Sequence, residues 1–245
     1  YYTHIIGSGI VICTIFSYDQ TTSRDHLYYS ANHYTGANDM GIVHEMNTDL
    51  RKLVSSTTAN YNKSFGLHNL GVLAGFEAEK NTTDFMRTTG KDIPNSQLPT
   101  VATAGNLDAQ AYAWGNSIMS ALSRVEYNFD EKYFGSASYR TDGSSKLSPE
   151  NRWGNFWSIA GSWNLAKENF IVNIPSINAL RLRSSYGVNG TLPSDNFAWR
   201  ALVTYGNKYM QRPGGGLGNS PNPNLTWENN YSTNIAVEFG LFKNK

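Results

Sequence analysis

The chain has 245 residues, of which 16% are charged and 13% aromatic, with a formal net charge of +1. So low and balanced a charge excludes a polybasic nucleic-acid or membrane-surface binder. The single cysteine, Cys13, excludes an internal disulfide framework and reads as a small apolar filler.

The most apolar window is Ile5 to Phe16, IIGSGIVICTIF. It is too short for a transmembrane helix, which needs about 20 residues. It also lacks the basic leader and small-residue cleavage site of a signal peptide. The sequence opens on Tyr1 rather than Met, which predicts a segment of a longer or processed protein.

Beyond this window helix signals are scarce and period-2 alternation is common. Leu53, Ser55, Thr57, Ala59 and Tyr61 form a weak example. Leu70, Val72, Ala74, Phe76 and Ala78 alternate with Gly71, Leu73, Gly75, Glu77 and Glu79. Val125, Tyr127 and Phe129 lead into the polar turn Asp130-Glu131-Lys132, after which Tyr133, Gly135, Ala137 and Tyr139 continue the pattern as a hairpin.

The stretch RWGNFWSIAGSWNL (152–165) holds three tryptophans, Trp153, Trp157 and Trp163, all on one face of a strand. Trp153 and Trp163 are ten residues apart. That spacing is about 33 Å of strand, or roughly 25 Å of height at barrel tilt, the distance between the two aromatic girdles of an outer-membrane barrel. Trp153 and Trp163 are therefore predicted at opposite membrane interfaces, with Phe129 and Tyr133 beside the tight turn in the periplasmic girdle. Phe156, Ser158, Ala160 and Ser162 face inward. Two further alternating runs follow, Leu180 to Val188 and Tyr231 to Leu241.

The connections alternate in length. Asn62–Asn69, Asp130–Lys132 and a turn starting at Lys243–Lys245 are short, and Ala166–Ala179 is medium. Lys80–Ile118, Thr141–Asn155 and Asn189–Asn230 read as long loops. Short periplasmic turns and long extracellular loops mark a transmembrane β-barrel. A soluble β-sandwich also alternates and buries Trp, but its strands run about five to six residues, whereas several runs here reach the spanning length. The fold class predicted is all-β: part of a large antiparallel transmembrane β-barrel, with roughly 8–10 strands.

No stretch carries catalytic chemistry. HEMNTD (44–49) has Thr48 where a zinc-binding HExxH helix needs its second histidine. RPGGGLGNSPNPN (212–224) has no following Gly-Lys-Ser/Thr and reads as a flexible loop. The five Asn-x-Ser/Thr sequons would matter only in a secreted sandwich. No nucleophile–base arrangement, cofactor site or metal site is predicted. Arg181 and Arg183 point inward if Leu180 and Leu182 face lipid. A lone charge there is costly, so each is predicted to meet a carboxylate such as Glu238 or Glu126, an inner domain, or a ligand. Trp199, Tyr205 and Tyr209 lie in the last long loop, where they can stack on a sugar or peptide or simply pack the loop.

At these same residues the chain resembles the SusC/RagA-type TonB-dependent transporters of the Bacteroidetes outer membrane. The resemblance lies in YFGSASYRTDGSSKLSPENRWGNFWSIAGSWNLAKENF (133–170), INALRLRSSYGVNGT (177–191) and NPNLTWENNYSTNIAVEFGLF (222–242). NYNKSFGLHNLGVLAGFEAEKN (60–81) and SRVEYNFDEKY (123–133) match more weakly. Residues 1–50 have no clear counterpart, which leaves their strand register open. The resemblance implies that residues 1–245 are a segment of the barrel domain, with the plug domain and TonB box absent from this chain. It also implies TonB-coupled import of oligosaccharides across the outer membrane with a SusD-like lipoprotein as partner. Import of peptides by the same machinery, a passive porin-like barrel and a secreted carbohydrate-binding sandwich are the alternatives.

Overall fold

The computed structural model describes residues 2–6, 9–174, 176–210 and 212–242. The chain runs through β1 (Tyr2–Ile6), β2 (Ile10–Tyr29), β3 (Ile42–Phe65), β4 (His68–Lys91), β5 (Asn106–Phe129) and β6 (Tyr133–Ser144). It continues through β7 (Trp153–Asn164), β8 (Ile177–Thr191), β9 (Val203–Tyr209), β10 (Arg212–Leu217) and β11 (Glu228–Leu241). Nine strands form one sheet in chain order, β1 to β8 and then β11, while β9 and β10 pair as a separate hairpin. Helix among the described residues is confined to three short 3₁₀ turns.

The connections sort by end. Turns at 66–67 and 130–132 close one end of the sheet, and the segments 30–41, 92–105, 145–152 and 192–227 lie at the other. At the 66–67 turn Gly66 takes a positive φ of 61°, a conformation that favours glycine. Lys243–Lys245, read as the start of a turn, lies outside the described residues, as do Gly7 and Ser8 of the apolar window.

The structure corrects the reading of three loops. Lys80–Ile118 is mostly strand: β4 runs on to Lys91 and β5 begins at Asn106. Thr141–Asn155 shrinks to the eight residues between β6 and β7, and Asn189–Asn230 contains the β9–β10 hairpin. Residues 10–29, whose register was open, form one 20-residue strand. β3, β4 and β5 each run 24 residues, well past the 9–11 that a tilted strand needs to cross a bilayer. Where both faces of a strand meet water, polar residues occupy both parities and the alternation that betrays a strand disappears.

The chain divides into two compact units. Unit 1 comprises Tyr1–Phe16, Val54–Glu79 and Ser117–Lys245; unit 2 comprises Ser17–Leu53 and Lys80–Asn116.

In unit 1 the register aligns the apolar parities of neighbouring strands. Tyr133 lies opposite Trp163, Ala137 opposite Ile159 and Tyr139 opposite Trp157. Trp163 then lies opposite Leu182, and Leu182 opposite Val237. The resulting face leaves Ile159, Tyr231, Ile235, Val237 and Phe239 exposed. A soluble protein would bury so large a contiguous apolar surface.

The buried core of unit 1 sits among the long connections. Leu147, Phe156 and Trp227 pack together with Leu192 and Leu225 against them. The Phe156 and Trp227 rings meet edge to face at 5.2 Å. Trp227 Nε1 donates to the Arg152 carbonyl (2.9 Å), while Ser148 Oγ and Asn151 Nδ2 both donate to the Pro223 carbonyl (3.1 and 2.9 Å). Gly190 lies flat beneath Phe156: a Cβ there would sit 2.1 Å from the ring. The connection after β6 and the one before β11 are thus clasped to each other.

In unit 2 the two connections interlock by backbone bonds, Asp92 N to Asp39 O (2.8 Å) and Ile93 N to Met40 O (3.0 Å). Ile42, Val43 and Ile93 are buried beside these connections, Ile42 and Val43 on opposite faces of β3. Polar pairs tie its strands elsewhere. Gln20 and Thr22 both donate to Asp49 (2.9 Å each), and Arg51 pairs with Asp84.

Trp227→Ala removes the centre of the clasp. Truncation of a buried large aromatic costs about 3–5 kcal/mol, and Trp227→Phe is expected to recover part of it. Urea unfolding of the full-length protein in lipid vesicles measures this; equal midpoints for all three proteins would show that the clasp contributes nothing to stability.

Candidate functional site

The inner face of unit 1 is the parity opposite the apolar one. It forms a concave space of about 700 Å³ lined by Asn62, Asn69, Glu126, Asn128, Ser136 and Arg183, with Ser162, Ser185 and Asn234 among its other walls. Its position follows from the register: β6, β7, β8 and β11 each present small or polar residues where the outer face presents rings. Hydroxyl and amide groups dominate. Ser138 and Ser158 share a hydrogen bond across β6 and β7 (2.7 Å). Ser162 Oγ is shielded from solvent with no partner among the described residues.

Several charges on this face are paired, while Lys63, which also lines the space, has no ion pair among the described residues. Arg183 forms an ion pair with Glu238, one of the two carboxylates predicted for it. Glu126, the other, pairs with Arg124. Arg181 lies over the Phe134 ring, 5.4 Å from its centre. Arg140 is the most engaged cation. It reaches Glu77 on β4 (3.0 Å), Ser120 on β5 (2.9 Å) and Asp142 on its own strand (2.7 Å). A guanidinium has five donors in a fixed fork, which suits this three-way tie better than a lysine.

The loop aromatics do not join the arginines. Arg181 and Arg183 lie near the short-turn end of β8; eight residues separate Arg183 from the end of the strand at Thr191, about 26 Å of strand. Trp199 is half-buried beneath the Arg200 guanidinium, 4.5 Å from its ring. Tyr205 stands on β9 with 82% of its surface exposed. Tyr209 ends β9, and its side chain lies outside the described residues.

The four aromatics predicted at the membrane interfaces fall at the ends of their strands. Phe129 closes β5, Tyr133 opens β6, and Trp153 and Trp163 stand at the two ends of β7. At the short-turn end a continuous ladder forms. The Trp163 ring stacks on Tyr133 (6.1 Å), Tyr133 on Phe129 (6.4 Å), Phe129 meets His68 (4.8 Å), and His68 stacks on Phe65 (5.3 Å). Phe65 and His68 escaped the sequence reading. The signal available was their place on either side of the turn Gly66-Leu67. Glu168 locks the end of the ladder, accepting from both Tyr133 Oη (2.6 Å) and Trp163 Nε1 (3.0 Å). Trp153, at the other end, lies over Gly143; a Cβ there would come within 2.8 Å of the indole.

The HEMNTD stretch is split by the pleat. His44 Nδ1 lies 2.9 Å from Thr89 Oγ1, and Glu45 pairs with His26 at 2.6 Å on the opposite face of β3.

No family model matches the chain. It is similar to TonB-dependent receptor P26 of Formosa agariphila, 29% identical over 96% of this chain and 25% of that protein. It is also similar to TonB-dependent receptor SusC of Bacteroides thetaiotaomicron, 29% identical over 89% of this chain and 22% of that one. Among solved structures, the RagAB peptide transporter matches the fold with a TM-score of 0.88 at 24% identity, over 99% of this chain and 27% of that one. The chain thus spans about a quarter of the length of the relatives it matches.

The hydrogen bonds from Tyr133 and Trp163 hold the Glu168 carboxyl below its ordinary pKa. Its contribution is therefore complete above the carboxylate's unfolded pKa and is lost as pH falls through the lower folded value. Acidification is expected to shift Trp163 fluorescence, read as the difference between the intact receptor and its Trp163→Phe variant. In Glu168→Gln that acid transition disappears; an unchanged transition would remove Glu168 from the ladder.

Proposed function

The chain belongs to the SusC/RagA-type TonB-dependent receptors, β-barrel proteins of the outer membrane, and we propose that it forms one stretch of the wall through which such a receptor imports a nutrient. The observation that carries this reading is the contrast between the two faces of unit 1. One face is an exposed band of aliphatic and aromatic side chains, which a bilayer would cover. The other is polar, with most of its arginines paired to carboxylates within the sheet.

All of 1–245 then belongs to the barrel domain, and the plug and the TonB box lie in the rest of the receptor. β1 and β11 are the edges of the described sheet. Unpaired edges are not tolerated in hydrocarbon, so further strands of the receptor pair there. The short turns face the periplasm and the long connections the cell exterior. Import is coupled to TonB, with a SusD-like lipoprotein as the outer partner and no catalytic step in this chain.

The cargo proposed is an oligosaccharide. An inner wall of serine hydroxyls and asparagine amides, with its guanidinia already paired or stacked, complements a ligand made of hydroxyl groups. A peptide's charged termini would instead seek unpaired charges. Trp199, Tyr205 and Tyr209 in the outer connection are assigned to first contact, where aromatic faces can take sugar rings. Arg181 and Arg183 are assigned to the inner wall beside the path. Peptide import is the second reading, favoured by the likeness to the RagAB peptide transporter.

Uptake by cells carrying the intact receptor tests this. A fluorescent hexasaccharide is expected to enter, and entry is expected to fall to background without TonB or without the lipoprotein. Entry that persists without TonB would replace the reading with a passive barrel. Entry of labelled hexapeptides in place of sugars would replace the cargo.

A further inference from the structure

Unit 2 carries a second array of polar and aromatic groups, on one face of β4 and β5. Asn81 donates to Asn116 (3.2 Å), the Phe85 and Tyr112 rings stack at 6.0 Å and 11°, and Arg87 donates to Gln110 (2.9 Å). These three contacts fix the register, so odd residues of β4 and even residues of β5 share the face. By the same alternation Trp114 and Asp108 belong to it. His44 reaches it from β3 through Thr89.

Two features separate this face from an ordinary solvated strand. First, its rings are not buried: Tyr112 is 53% exposed and Trp114 is 43% exposed. Two residues apart on one strand, they stand about 7 Å from each other. Second, polar groups flank the rings in a fixed arrangement. Gln110 Oε1 accepts from both Arg87 and Tyr112 Oη (2.9 and 3.0 Å), which holds the guanidinium and the phenol in place. Arg87 donates there to a neutral amide and has no ion pair among the described residues. Exposed Asp108, on the same face, supplies an acceptor of its own.

We propose that this face is an outer binding platform for the oligosaccharide, with sugar rings on Tyr112 and Trp114 and sugar hydroxyls between Arg87 and Asp108. The assignment rests on the oligosaccharide reading above and extends it to residues that reading does not use. A sugar hydroxyl both donates and accepts, and the platform offers a cation that donates and a carboxylate that accepts. Sugar rings have apolar faces, and the exposed rings match them. A peptide strand would instead need an open sheet edge or matching charges, and β4 and β5 are both interior strands of the sheet.

Binding of linear α-glucan, xylan and mannan hexasaccharides, and of a pooled hexapeptide, to the intact receptor in detergent decides it. Wild type is expected to bind at least one of the sugars. Tyr112→Ala and Trp114→Ala are each expected to weaken that Kd about three- to tenfold. Trp114→Phe should recover part of the loss, and Tyr34→Ala, an exposed loop tyrosine, should leave the Kd unchanged. Both target rings are exposed, and the heat-modifiable gel mobility of a folded barrel confirms that each variant is intact. If wild type binds sugar and the Tyr112/Trp114 double variant binds it equally well, the platform is overturned and the oligosaccharide reading stands. If wild type binds only the peptide, the oligosaccharide reading falls and takes the platform with it.

Discussion

A strand inside a bilayer has no water to satisfy its backbone, so every N–H and C=O must find a neighbouring strand. Most of unit 1 follows from that constraint. Strands pair with their chain neighbours from β1 to β8, because short turns make adjacent antiparallel pairing the simplest complete ladder. A one-residue slip would turn every lipid-facing ring inward. The register that sets Tyr133 opposite Trp163 therefore also sets Ser162 and Ser136 on the inner face. Buried charge on that inner face is costly, and the pairing of Arg183 with Glu238 and of Arg140 with Glu77 and Asp142 offsets part of it.

The same constraint explains why the most recognisable motifs are structural. Arg140-Thr-Asp-Gly closes β6, and Asn-Pro-Asn-Leu-Thr-Trp leads into β11. They lie far apart in the sequence, yet Trp227 and Pro223 of the second bond to Arg152, Ser148 and Asn151 of the connection after the first. The clasp fixes the roots of two long connections where the ladder stops supplying partners. Between those roots lie residues 193–222, whose first two carbonyls, of Pro193 and Ser194, accept from Lys146 Nζ. The β9–β10 hairpin and the loop aromatics occupy that interval.

This division sets how much could be read from the residues alone. The ladder of unit 1 was legible because lipid on one face and water on the other force alternation, and because Trp153 and Trp163 mark the two ends of one strand. The partner of Arg183 was legible as one of two carboxylates; choosing Glu238 required the register of β8 against β11. The unit 2 stretches of β2 to β5 were hidden, since they carry polar residues in both parities and so lose the alternating pattern while keeping their hydrogen bonds. Phe65 and His68 were hidden because a two-residue turn left them reading as loop, although they extend the aromatic ladder across two more strands. The burial of Trp227 was hidden because its partners come from a connection about 75 residues away.

Unit 2 holds its long strands together by other means. Its ion pairs, such as Arg51 with Asp84 and His26 with Glu45, are exposed, and exposed pairs contribute only about 0–1 kcal/mol each. The buried Ile42, Val43 and Ile93 are the better anchors, since burying such side chains is worth about 1.5–3 kcal/mol each. They lie beside the place where the two connections interlock through Asp92 and Ile93. The strands are thus pinned where they turn, by apolar burial and backbone bonds together. A pinned strand presents its rings at fixed spacing. A ligand meeting Tyr112 and Trp114 would then pay little ordering entropy in the protein, and a weak stack on each ring can suffice for recognition.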